Sequence, residues 1–93
     1  MPLTVAYATA LAEARSCLAA LADTAASFDE SIHFERLLLD LDGMHDDDSP
    51  ALYPAAGQAA ELLRRLEVAV ERLLDLGGDG LRLELLLAGA GVW

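Results

Sequence analysis

Over residues 3–22 the chain carries only two charges, Glu13 and Arg15, and ten of its first 28 residues are alanine. Alanine is the best helix former, and a helix so sparsely charged cannot be solvated around most of its circumference. Thr4, Tyr7, Leu11, Ala14, Leu18, Leu21, Ala25 and Phe28 recur at alternating steps of three and four, the spacing of a helical seam. A first helix is therefore expected at about residues 3–26, placed centrally and covered on more than one side.

That requirement is severe for a chain of 93 residues with 55 % hydrophobic content. A domain of this size buries only about 60–65 % of the surface of its unfolded chain. The excess apolar surface points to self-association, with the bundle completed by a second copy.

The seam loses phase after Phe28, because the next apolar set is Phe34, Leu37, Leu38 and Leu41. Ser27 followed three residues later by Glu30 fits a capping box, so a second helix is expected at about residues 28–42. Gly43 then opens an acidic loop over residues 43–50, with three consecutive Asp residues before Ser49 and Pro50. A third helix is expected at about residues 52–76, with Pro54 in its first turn. Its seam is Ala55, Ala59, Leu62, Leu66, Ala69, Leu73 and Leu76, flanked by Leu63, Val70 and Leu74. Glu61 with Arg65, and Arg72 with Asp75, are spaced to pair on its surface. A glycine cluster at residues 77–80 ends it.

In the remaining segment Leu81, Leu85 and Leu86 line one face of a helix, while residues 81–85 also alternate as a strand does. The helical reading predicts a short element at about residues 81–88. This segment is expected to fold back over the seam between helices one and three, with Trp93 as an apolar anchor. The expected fold is all-α, one domain of three long helices and a short fourth. Tyr7, Leu11, Leu18, Leu21, Leu62, Leu66 and Leu73 are the expected core and dimer positions.

Composition narrows the function. The formal net charge is −10, and residues 27–50 alone carry −7. Nucleic-acid backbones and anionic membranes both demand clustered cations, so neither is an expected partner. No uninterrupted apolar run reaches the roughly 18–20 residues of a membrane span, and the N-terminus lacks the basic start of a secretory signal. The expected compartment is the cytoplasm. Lys and Asn are absent and Ile32 is the sole isoleucine, residue usage that suggests a GC-rich bacterium or its phage. Cys17 is the only cysteine, and in an apolar helical pattern it reads as a small buried hydrophobe.

The chemical motifs are weak. Glu30 and His33 have the Glu-x-x-His spacing of di-iron carboxylate bundles, but such a site needs a second motif and two more inward glutamates. The plain reading is a helix-surface pair. The run from Asp40 to Asp48 concentrates oxygen ligands, yet Gly43 falls at position four where an EF-hand needs glycine at position six. It is read as a solvated acidic loop. Leu76-Gly77-Gly78-Asp79-Gly80-Leu81 resembles the phosphopantetheine attachment motif of carrier domains over six residues, but Gly80 stands where that motif has its attachment serine. The resemblance therefore implies no prosthetic group. His33 and His45 sit in no known catalytic motif, and Ser16 and Cys17 have no histidine nearby in sequence.

No enzymatic activity, cofactor or metal is expected. The leading expectation is a helical protein–protein interaction module acting as a homo-oligomer, most simply a dimer. Its partner-binding residues are Asp40, Asp42, Asp46, Asp47, Asp48, Leu85, Leu86 and Trp93. Two alternatives stand beside it: an acidic inhibitor, immunity or antitoxin-like protein that occupies a basic surface, and a bundle that holds a small molecule between its helices.

Overall fold

The computed structural model describes residues 4–45 and 53–91, and within them four α-helices and no strand. They are α1 (Val5–Asp23), α2 (Phe28–Gly43), α3 (Ala59–Asp75) and α4 (Gly80–Gly89). Asp46, Asp47, Asp48 and Trp93 lie outside the described residues.

Local chemistry sets most of the boundaries. The Thr4 hydroxyl accepts the Tyr7 N–H at 3.1 Å and starts α1. The helix stops at Asp23, three residues short of expectation; Thr24 is its C-cap and bonds the Ala20 carbonyl with both its N–H (3.0 Å) and its hydroxyl (2.8 Å). Ser27 caps α2 by accepting the Glu30 N–H at 3.2 Å. The Ser31 hydroxyl ties α2 back to the carbonyl of Ala22 at 2.8 Å.

Helix three begins seven residues later than expected. Instead of opening a first turn around Pro54, residues 53–58 run without helix, and Tyr53 is pinned to α1: its N–H reaches the Ser16 hydroxyl at 3.1 Å and its phenol reaches Glu13 at 2.7 Å. Gly57 adopts φ +138°, a conformation that side chains oppose, and α3 starts only after it.

At the other end of α3, Gly78 N–H bonds the Leu73 carbonyl at 2.8 Å and Gly77 N–H bonds that of Leu74 at 3.2 Å, with Gly77 at φ +96°. This is a Schellman stop. Two residues further on, Asp79 accepts the Arg82 N–H and starts α4.

The helices close a ring. α1 packs between α2 and α3, and α4 completes the circuit by touching α2 and α3. Leu11, Leu18 and Leu21 of α1 meet Leu41 of α2 and Leu62, Leu66 and Leu73 of α3 in the core, all at most 2 % exposed. Tyr7 is only half-buried, because its phenol is turned toward a polar partner. The last member of the expected α1 seam, Phe28, is 78 % exposed: it belongs to α2 and not to α1.

The phase of α4 also differs from expectation. Leu83, Leu86 and Leu87 are buried, whereas Leu81 and Leu85 are 70 % and 62 % exposed. The sequence supports two leucine stripes on this helix, and docking against α2 and α3, in place of the seam between α1 and α3, selects the second.

Candidate functional site

Glu13 is the centre of a polar cluster on α1. Its Oε1 accepts a hydrogen bond from an Arg65 guanidinium N–H at 2.5 Å, from the Tyr53 hydroxyl at 2.7 Å and from the Cys17 thiol at 3.5 Å. Burial pulls the Glu13 pKa upward, but the hydrogen bonds from Tyr53 and Arg65 and the Arg65 charge outweigh it, leaving the carboxyl below its ordinary value. Burial, reinforced by the Glu13 negative charge, pushes the Cys17 thiol up to about 11. A thiol of that pKa stays protonated at neutral pH and is a poor nucleophile. Burial and the bond to Glu13 raise Tyr53 to about 12. The cluster thus fastens α3 and the 53–58 segment to α1. The expected pairing of Arg65 with Glu61 gives way to this contact.

Other polar side chains also hold helices together. Arg15 makes a two-point contact with Asp42, Nε to Oδ1 at 2.6 Å and Nη2 to Oδ2 at 3.3 Å, joining α1 to α2. Asp42, expected on a partner-binding face, is therefore turned inward. The His45 Nδ1–H donates to the Leu41 carbonyl at 2.8 Å, and its Nε2 lies 2.7 Å from the Tyr7 hydroxyl, in hydrogen-bond contact. His33 Nε2–H donates to the Gly89 carbonyl at 2.6 Å, joining α2 to the C-terminal end of α4 rather than pairing with Glu30. Among the described residues no three His, Cys, Asp or Glu side chains converge in a way that would hold a metal ion.

Three of the expected partner-binding residues do meet. Asp40, Leu85 and Leu86 border a groove of about 250 Å³ between α2 and α4, together with Leu37, Met44 and Arg82. Asp40 and Leu85 are exposed there, but Leu86 is 3 % exposed and faces the core, so it offers a partner almost nothing.

A second groove escaped sequence reasoning. Between α1 and α3 a depression of about 350 Å³ is lined by Thr9, Ala10 and Glu13 of α1 and by Arg64, Arg65, Val68, Ala69 and Arg72 of α3. Three of the six basic residues of a chain with net charge −10 thus line one feature. Arg64, Val68 and Arg72 recur at steps of four, which places them on one helix face. That spacing was the available signal. The outer face of α1 continues the depression through Val5, Ala8, Ala12 and Tyr53.

Compared with known proteins, the chain matches no family model, no curated protein and no solved structure. Among the described residues α1 is the one helix long and apolar enough by composition to cross a membrane. Here it is the helix packed between α2 and α3, with Glu13 and Arg15 both engaged.

Proposed function

We propose that this chain is a non-catalytic helical interaction module that works by self-association. The observation that carries this reading is the set of large apolar side chains left in water after the core is filled. Phe28 and Leu39 on α2, Val68 on α3, and Leu81 and Leu85 on α4 are each more than half exposed. Scattered single hydrophobes need no explanation, but here Phe28 and Leu39 share a face of α2, Leu81 and Leu85 share a face of α4, and Val68 and Leu85 line grooves. The polar groups that would otherwise suggest chemistry are already engaged. Glu13, Tyr53 and Arg65 satisfy one another, and Cys17 is fully buried with its proton held.

The reading as an acidic inhibitor loses one of its contacts, because Asp42 is committed to Arg15. Asp40 beside the exposed Leu85 still provides an acidic, apolar edge for a protein partner. Light scattering at micromolar concentration tests self-association. A mass of two protomers or more is expected; a single-protomer mass throughout overturns the proposal.

A further inference from the structure

Resting on that self-association reading, we infer which surfaces meet: the outward stripe of α2 on one copy seats in the arginine-lined groove between α1 and α3 of the next. α2 is apolar on two opposite sides. Phe34, Leu37 and Leu41 face the core, while Phe28, Ile32 and Leu39 recur at steps of four and seven on the far side. There Phe28 is 78 % and Leu39 69 % exposed. Among the described residues nothing covers Phe28 or Leu39, while Ile32 between them is half-buried. Glu35 borders it on one flank, and Asp29 and Arg36 on the other.

The groove is the complement. Val68, 54 % exposed, lines it. Arg64 and Arg72 lie one turn before and one turn after Val68, about 12 Å apart along the helix axis. Both arginines are exposed, and neither has an ion-pair or hydrogen-bond partner among the described residues. An apolar stripe bordered by a carboxylate therefore meets a groove lined by Ala10, Val68 and Ala69 with two uncommitted guanidiniums beside them. Such an amphipathic helix in a groove obtains contact area from the apolar residues and register from the charges. Glu35 is the carboxylate placed to meet Arg64 or Arg72. The charge asymmetry of the chain supports a second copy as the occupant, since its most acidic segment contains α2 and half of its cations line this groove.

The contact is head-to-tail. α1 turns Arg15 toward α2 and Glu13 toward the groove, and two residues on a helix are about 200° apart. Stripe and groove therefore lie on opposite sides of α1. One copy's stripe fills its neighbour's groove and leaves its own groove open, so the assembly extends or closes as a ring.

Two surface-blocked chains test this. Val68→Asp with Arg72→Glu spoils the groove, and Glu35→Arg with Leu39→Arg spoils the stripe. All four positions are at least half-exposed or on the solvent side, and circular dichroism checks that each variant keeps its helices; Arg72→Ala and Leu39→Ala serve as milder substitutes. By analytical ultracentrifugation the wild type is expected to grow in mass with concentration and to weaken at least tenfold between 50 and 500 mM NaCl, conditions chosen to span roughly 14 to 4 Å of screening. Each blocked chain is expected to sediment as one protomer. Their equimolar mixture is expected to give a two-protomer species and nothing larger, because only one working stripe and one working groove remain. A wild-type oligomer that both blocked chains reproduce overturns this inference and leaves self-association standing. A wild type that is one protomer throughout overturns both. Blocked chains that stay single when mixed overturn the pairing of these two surfaces.

Discussion

Gly78 sits where the Schellman stop of α3, the start of α4 and the side of α1 converge, and it has no room for a methyl group. A Cβ built there lies 2.7 Å from Leu83 Cδ1, 2.9 Å from the Leu73 carbonyl oxygen and 3.0 Å from the Tyr7 hydroxyl. The leucine can rotate only within a full core, since Leu83 is 0 % exposed. The carbonyl cannot rotate at all, because it is the acceptor of Gly78's own N–H. Gly78→Ala must therefore move backbone and strain that hydrogen bond. Overpacking of this kind costs about 1–3 kcal/mol and the bond adds about 1, giving about 2–4 kcal/mol in all. For a chain of this length a kilocalorie shifts Tm by about 4–8 °C, so a fall of roughly 8–30 °C is expected in thermal unfolding followed by circular dichroism. Gly77→Ala is the control. Its φ of +96° opposes a side chain, but no atom lies within 4 Å of the added methyl, so only conformational strain of about 1 kcal/mol applies. A Gly78→Ala loss below about 0.5 kcal/mol, or one smaller than that of Gly77→Ala, refutes the close-approach argument.

Further outcomes follow from the same geometry. Leu18→Ala and Leu66→Ala, both at 0 % exposure, are each expected to cost about 2–5 kcal/mol in urea unfolding, and a loss under about 0.5 shows that the seam is not the core. Asp42→Ala removes the two-point contact to the half-buried Arg15 guanidinium and is expected to cost about 1–3 kcal/mol, whereas Asp40→Ala, two residues earlier on the exposed face, stays within about 0.5; equal effects contradict the inward placement of Asp42. Glu13 has a lowered pKa in the fold, so its contribution is present above the ordinary carboxylate value of 4.5 and is lost as pH falls through the folded value. Tm is expected to drop below about pH 5, and Glu13→Gln removes part of that drop; parallel acid limbs for the two proteins rule this out. On the alkaline side Cys17 and Tyr53 have raised pKa values, so their contribution is intact below the ordinary values of 9.0 and 10.0 and is lost as pH rises toward 11 and 12. A stability plateau from pH 9 to 12 contradicts this.

The helices and much of the core were legible in the sequence because their determinants are local. Steps of three and four put Leu11, Leu18 and Leu21 on one face wherever the helix ends up, and Thr4, Ser27, Asp79 and Gly77 act on backbone groups within a turn of themselves. Near neutrality in charge along α1 likewise required cover from two sides before any partner was known.

What the sequence left open was decided by contacts between residues far apart in the chain. Pro54 and Ala55 suit a helix start, yet the segment is held unwound because Tyr53 gains partners on Ser16 and Glu13, 37 and 40 positions away. Leu85 and Leu86 are equivalent in composition, and only the position of α2 and α3 around α4 makes one exposed and the other core. Asp40 and Asp42 read alike as acidic surface until Arg15 claims one of them. The same holds for the grooves: the sequence by itself determined that α1 and α3 are helices and that Arg64, Val68 and Arg72 share a face, but only the packing of α3 beside α1 turned that face into the lining of a depression. Periodicity fixes which residues share a face because it depends on backbone geometry alone, whereas what a face meets depends on how every other helix fills the space around it.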